Sequence, residues 1–547
     1  MIGNIHLAES NGAARVKDGT ELVKPLNTVA AQTDACNNVK QYVLEAIRDE
    51  QELYNMEQYA IDYAHSIGLV APMPDQPMGT FSNIVAVPPP ITLLPSPFPL
   101  ELYEQAVDVQ QQLSELYFRI ASDHQFLMDS FKDVIKTDPF MARLVQIAKL
   151  VHDEGVHQPL AMQLQRSDYM VQLEPLDGTL ALKQVEVNIG PLGGPGFATG
   201  ISKLHRKMLD KVAIVREGRL AMLANAFAPV DRSRQGLAYA LYESWKLFGD
   251  PKAILLFLGT PGILHFEQLQ FFQFEVEKLG KKDGHLVKVL SLTFVEASKR
   301  MSLDETGDFS LYIDGTKRVA LVQITDGNVP DEFPTEREWT ARTMMERSTA
   351  ILSPNIRFQL SCTKKIQQLL AKPGMLERFI PNNNSKLMDQ LRSTFTGLWG
   401  LEEDDQATEE VIEAAIRSPG NYVLKAQLES GLGNFFDEEV AEMLQKLSKQ
   451  DRAAYILQQR INPLVVKNFM MRQMKPAQME DVVSEMGIYA SLIGNQFTGQ
   501  ILHNSVAGYT IRSKPSKLNQ GGVDSGGGTV DSALLFPTAE MLEAKLI

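Results

Sequence analysis

The sequence predicts an α/β (α+β) fold built from several units, on three observations. Long stretches carry apolar residues at three- and four-residue spacing, as helices with one buried face do. Between them lie β-branched and apolar runs, clearest in VEVNI at 185–189 and KAILLFLG at 252–259. From about residue 250 strands begin to alternate with helices, the pattern of a small α/β unit. A chain of 547 residues has room for roughly three to four domains.

Taken in order, residues 1–35 are polar and aperiodic and read as a loose tail, and 36–66 read as a helix. The prolines of 71–99 (VPPPITLLPSPFP) make that segment an extended connector. Helix is expected again over 100–155, strand from Tyr169 to Ile189, and helix over 199–225. Next come the buried strand KAILLFLG, a helix at 265–279, LVKVLSLTFVEA, and YIDGTKRVALVQITDG, a unit closing near 360. Over 363–547 helices alternate with the strands YVLKAQLE, AAYILQQRI and AGYTIRSK, and NQGGVDSGGG (519–528) is the one low-complexity patch. The expected division is therefore 1–35, 36–250, 251–362 and 363–547.

Composition narrows the function. Hydrophobic content of 44% and charged content of 22% are ordinary for a globular protein. A net charge of −14 argues against nucleic acid or an anionic membrane as the main partner. Cys36 and Cys362 suggest neither a zinc site nor a disulfide framework. The apolar runs are too short to span a bilayer. MIGNIHLAESNG lacks a basic start followed by an apolar stretch, so the sequence as it stands reads as cytoplasmic, with secretion open if a leader preceded Met1. No Ser-His-Asp, Cys-His or HExxH arrangement stands out.

Four stretches carry possible chemistry. Period two places Gln184, Glu186 and Asn188 on one strand face, where a carboxylate and an amide oxygen suit Mg2+; a solvated strand face explains the same pattern. In NYVLKAQLESGLGNFF, Val423, Lys425, Gln427 and Glu429 share a face, so a lysine for phosphate and a glutamate for its metal lie about 13 Å apart. The SGLGN turn offers backbone N–H groups to phosphates, although a charged edge strand with a flexible hairpin reads identically and no Walker A loop is present. Gln458-Gln459 interrupts AAYILQQRINP as an adenine hinge would, or as a strand leaving the core would. Arg512 and Lys514 share a face beside the glycine-rich 519–528 and suit phosphate or carboxylate, or are a surface pair; TKK at 363–365 adds two lysines at what also reads as an exposed helix start.

These pieces in this order resemble eukaryotic-type glutathione synthetase. RSDYM (166–170), KQVEVN (183–188), HR (205–206), TKK-x-QQ (363–368), KPGMLER (372–378), YVLK-x-Q-x-E (422–429), YIL (455–457), SE-x-GIY (484–489) and R-x-K (512–514) all fit, across some 500 residues. The resemblance implies an ATP-grasp fold with an inserted, permuted α/β substrate domain at 251–362, lid loops rich in glycine and alanine, and a homodimer. It implies ATP and Mg2+ as cofactors and a peptide-like carboxylate donor joined to an amino-acid acceptor. In the family, phosphorylation of the C-terminal carboxylate of γ-glutamylcysteine is followed by attack of glycine's amine. By position, Glu186, Asn188 and Glu429 match metal ligands. Lys365, Lys425, Gly431, Asn434, Gln458, Gln459, Glu485 and Lys514 match nucleotide contacts. Arg166 matches the catalytic arginine at the donor, and Arg512 the one holding the acceptor's carboxylate. Gln268, Val523 and Asp524 complete the expected substrate contacts.

Departures from the family cluster at the donor's γ-glutamyl head. Pro191 and Gly193 stand where the family has serines, Gly262 and Leu264 where it has an acid and an amide, and Thr325 and Asn328 where it has an arginine and a tyrosine. Losing an arginine–carboxylate pair costs several kcal/mol and each further hydrogen bond about 0.5–1.5 kcal/mol. The glycine triad reads Ser430-Gly431-Leu432, and Asp524 and Ser525 replace alanines in a lid, where an acid would repel an incoming carboxylate. The expectation is a glutathione synthetase-like ligase with weak or no glutathione synthetase activity. The alternatives are an authentic synthetase, or a non-catalytic protein of the effector kind known among secreted paralogues in plant-parasitic nematodes.

Overall fold

The computed structural model describes residues 39, 42–72, 86–174, 178–190, 192–216, 225–259, 268–380, 385–403, 405–427, 433–523 and 526–543. Its frame is an antiparallel pair of long strands, Gln478–Asn495 and Ile501–Pro515. Continuous buried runs drive these strands, residues 486–494 in the first and 506–511 in the second, as strands covered on both faces show, and Asn495 makes the turn between them. Its side-chain oxygen accepts from the Phe497 and Thr498 N–H groups, and Gly499 follows at φ 72°.

Seven strands join this sheet in the order Val465–Met471, Ile91–Thr92, Thr529–Asp531, Ile501–Pro515, Gln478–Asn495, Leu160–Leu173, Leu180–Ile189. Val465–Met471 also pairs with Gln478–Asn495, so five of the strands close into a ring. The hairpin Leu160–Leu173/Leu180–Ile189 extends the sheet outward, setting Arg166 opposite Asn188 and Asp168 opposite Glu186.

A second, antiparallel sheet has four strands in the order Leu398–Gly400, Tyr455–Gln459, Tyr422–Ala426, Asn434–Phe436. It has its own small core, in which Leu424 and Leu457 pack with Ile412 of helix Gln406–Arg417 and Val440 and Leu444 of helix Glu438–Lys446. The third sheet draws all six strands from between Ile254 and Ser353. Its centre is parallel, with Ile254–Leu258 and Ile351–Ser353 flanking Lys317–Ile324, and ILLFL is buried throughout, as a strand covered on both faces must be. The whole is an α/β fold of ATP-grasp type.

Several boundaries differ from the sequence reading. The helix expected over 36–66 is two helices, Tyr42–Ala46 and Glu50–Ser66, restarted by Asp49, whose side chain caps Glu52 N–H. The first hairpin strand begins at Leu160 rather than Tyr169, because AMQLQRSD lacks β-branched residues yet is buried almost throughout. The helix expected at 265–279 is a π-helical turn, Gln268–Gln273, leading into Phe274–Lys282.

Candidate functional site

Period two along the hairpin brings Arg166 and Asp168 to one face, and pairing sets them against Asn188 and Glu186. Asp168 is fully buried and is the hub of this face. Arg166 donates to it from Nε (2.7 Å) and Nη2 (2.8 Å), Asn188 Nδ2 donates at 2.9 Å, and Arg512 Nη2 at 3.1 Å. Gly487 lets the central strand pass this close, since a Cβ there would lie 2.7 Å from both Arg166 Cδ and Asp168 Oδ1. Arg512 also pairs with Glu485 across the long strands.

Glu186 sits among cations. Burial alone would push its carboxyl up, but Lys364, Lys425, Arg512 and Arg166 outweigh burial and hold it down to about 2. Lys364 Nζ is 4.0 Å away. Lys425 Nζ donates to the Val185 carbonyl at 3.4 Å, and Gln458 Nε2 to the Gln184 carbonyl at 3.5 Å, so the small sheet leans directly on the Glu186 strand. Asn434 lies opposite Lys425 in the small sheet. Gln458 also donates to Thr396 Oγ1 at 3.1 Å, while Gln459 is exposed and accepts from Gly397 N–H.

Lys364 and Lys365 are 3% and 4% exposed, which rules out the exposed helix start. Lys365 Nζ meets Glu402 and Gln368 Oε1, and its backbone N–H donates to Gln427 Oε1 at 3.0 Å. Burial pushes the Lys365 ammonium down, against the pull of Glu402. Lys514 behaves likewise, with Glu485 opposing burial, and its Nζ donates to the Asn519 carbonyl. Val523 packs half-buried near the end of the same connection. Glu429, Gly431 and Asp524 lie outside the described residues, as do Pro191, Gly262, Leu264, Ser430, Leu432, Ser525 and the Gln268 side chain.

At the donor end, polar groups are turned inward. The Gly193 carbonyl accepts from Arg166 Nη1 at 3.0 Å and from the Tyr489 hydroxyl at 2.7 Å. Thr325 Oγ1 donates to the Leu258 carbonyl at 2.8 Å. Asn328 Nδ2 reaches the Thr325 carbonyl, and Asn328 Oδ1 receives Gln359 Nε2, both at 3.5 Å. Arg342, which runs beneath Gly327, is paired with Glu346 at 2.9 Å.

The residues present fit a magnesium-bound nucleotide. Asn188 spends its NH2 on Asp168 and shares a strand face with an ionised Glu186, and an amide oxygen and a carboxylate are both hard oxygen donors. Among the described residues no three His, Cys, Asp or Glu side chains converge, and Mg2+ commonly completes its shell with phosphate and water. Among the described residues Asn434 Oδ1 and Gln427 Nε2 are buried in this cleft with no partner, as groups awaiting a polar ligand are. The sequence reading gave Asp168 and Glu402 no role and counted Lys364 only as one of the two lysines of TKK. Asp168 was legible as the residue two past Arg166 on the same face; the other two are joined to the site only by long-range packing.

Among the described residues no helix is long and apolar enough to cross a membrane. Residues 50–535 match the eukaryotic glutathione synthase ATP-binding domain family. The chain is 34% identical to human glutathione synthetase over 491 residues, covering 89% of this chain and 98% of that protein. It is 34% identical over 460 residues to the chloroplastic glutathione synthetase of Solanum lycopersicum, covering 84% of this chain and 79% of that one. A solved structure of a glutathione synthetase like-effector from Globodera pallida, in apo form, superposes with a TM-score of 0.70 at 29% identity, covering 90% of this chain and 99% of that one. Sequence, fold and the matched span agree: the chain belongs to the eukaryotic glutathione synthetase family.

Proposed function

We propose that the protein is an ATP- and Mg2+-dependent carboxylate–amine ligase of glutathione synthetase type, with altered recognition of the γ-glutamyl head. Turnover of γ-glutamylcysteine with glycine is then weak or absent. The observation that carries the first half is Glu186, half-buried on the same strand face as Asn188 and kept ionised by Lys364 and Lys425. The second half rests on Thr325, whose hydroxyl is spent on the Leu258 carbonyl where the family resemblance calls for an arginine.

In this reading Glu186, Asn188 and Glu429 hold the metal. Lys365, Lys425, Gly431, Asn434, Gln458, Gln459, Glu485 and Lys514 surround the nucleotide. Bound ATP would supply the phosphoryl group that makes a donor carboxylate open to attack by an amine. The chain's contribution is charge and position. Arg166, fixed along one edge by Asp168, has N–H groups left over for a donor carboxylate near the metal, since its bonds to described residues use three of five. Arg512 orients the acceptor's carboxylate, and Gln268, Val523 and Asp524 border the substrates. A homodimer belongs to the same reading.

Calorimetric titration of MgATP tests the nucleotide half, and absence of binding would sink it. The combined variant Pro191→Ser, Gly193→Ser, Thr325→Arg tests the donor half. A gain of γ-glutamylcysteine–glycine ligation is expected, and unchanged background activity would contradict an intact frame with an altered head pocket. The likeness to the Globodera pallida like-effector supports an effector role as a second reading, whose non-catalytic form is a binding protein of the same fold. MgATP binding without ADP release on any donor would favour it.

A further inference from the structure

A cavity of about 30 Å³ lies between the ends of helices Pro139–Glu154 and Glu336–Arg347, the start of strand Leu160–Leu173, and residues 350–357. None of the residues assigned above to metal, nucleotide or substrate lines it. Ala148, Val151, Leu160, Leu352 and Ile356 give it apolar walls, and Arg357, Glu346 and His152 are among its polar lining. Arg357 is the unusual member. Its side chain is half-buried, and burial pushes the guanidinium down while Glu346 pulls it back. Among the described residues that guanidinium makes no hydrogen bond and no contact ion pair. Polar groups taken out of water normally have partners. Glu346 does not serve as one, because it is already paired with the buried Arg342 at 2.9 Å. One positive charge is therefore left over beside the cavity. His124 feels the same excess. Its ring stacks on His152 with centroids 3.6 Å apart, and burial, His152 and Arg357 push its imidazole down against the pull of Asp153.

We propose that the Arg357 cavity is a second binding site, for a small monoanionic carboxylate whose head meets the guanidinium and whose short aliphatic tail lies along the apolar walls. The volume holds about two water-sized atoms, as a carboxylate's two oxygens require. A guanidinium grips such a pair with two parallel N–H bonds. A single uncompensated cation matches a single negative charge. The site is separate from the donor and acceptor positions and does not rest on the ligase reading.

Titration of 15N-arginine-labelled protein with propionate tests it, with ionic strength held constant by sodium chloride. The Arg357 Nε–H signal reads the site directly and is identified by its absence from Arg357→Met and from Arg357→Lys. It should shift saturably with propionate, and inorganic phosphate should need about tenfold higher concentration for the same shift, because its second charge has no partner here. Propionate should also stabilise wild-type protein against urea more than it stabilises Arg357→Met, since only the folded wild type offers the fork. Without propionate, Arg357→Met should unfold no earlier than wild type, because the guanidinium has no hydrogen bond to lose. An Arg357 signal that stays in place under propionate would overturn the site, and so would equal stabilisation of the two proteins. A tighter response to phosphate than to propionate would overturn the carboxylate assignment. An Arg357→Met protein markedly weaker than wild type without ligand would overturn the premise that Arg357 awaits a partner.

Discussion

Asp168→Asn is the sharpest test of how the site is held together. The carboxylate is buried, 1% exposed, and Arg166, itself 7% exposed, grips it with two nitrogens, while Arg512 and Asn188 share its Oδ2. An amide in the same place keeps one acceptor, presents an NH2 to surrounding donors, and removes the charge. Arg166 and Arg512 are then left with Glu485 and Glu186 as their remaining nearby acids. Breaking a buried ion pair from one side costs about 3–5 kcal/mol. The first urea-unfolding transition, followed by circular dichroism, should lose stability of that order. MgATP affinity by calorimetry should fall about tenfold as well, about 1.4 kcal/mol, because Asp168 also holds Asn188, a metal ligand in the proposed reading, and shares Arg512 with Glu485. A loss below about 1 kcal/mol would refute the hub. Unchanged nucleotide affinity in a folded variant would refute the link between Asp168 and the Asn188 side of the site.

Glu186→Gln should lower MgATP affinity at least tenfold, about 1.4 kcal/mol, because a neutral amide replaces the ionised metal donor; equal calorimetric affinities would contradict the metal assignment. The Glu186 carboxyl is depressed from 4.5 to about 2, so its contribution is present above 4.5 and is lost only as pH falls through about 2; titration of Glu186 should therefore leave MgATP affinity unaltered between about pH 5 and 8. Asp231 runs the other way: burial raises it from 3.8 to about 6, so its contribution is full below 3.8 and is lost as pH rises through about 6. That is worth about 3 kcal/mol, and Asp231→Asn should remove this slope from stability measured between about pH 4 and 7; parallel curves for the two proteins would contradict it.

The elements with strong local signals were legible. Val185, Val187 and Ile189 alternate with polar residues and mark the strand Leu180–Ile189, and ILLFL marks a strand buried on both faces. The preceding strand was half hidden, because Gln163, Gln165 and Ser167 are buried polar residues whose partners are distant in sequence or alternate along the strand itself. Period two grouped Glu186 with Asn188, and Arg512 with Lys514, but pairing across strands decides what they face. No local rule says that Asp168 would tie Arg166 to Arg512, 344 residues apart in the pair Arg512–Asp168. Lys364 looked like a solvated helix start and is buried against Glu186 for the same reason.

The most direct test is ADP release by the wild-type protein with MgATP, glycine and a series of carboxylate donors that includes γ-glutamylcysteine. The account predicts release with at least one donor lacking the γ-glutamyl head and near-background release with γ-glutamylcysteine. Rapid release with γ-glutamylcysteine, matched by formation of glutathione, would contradict it.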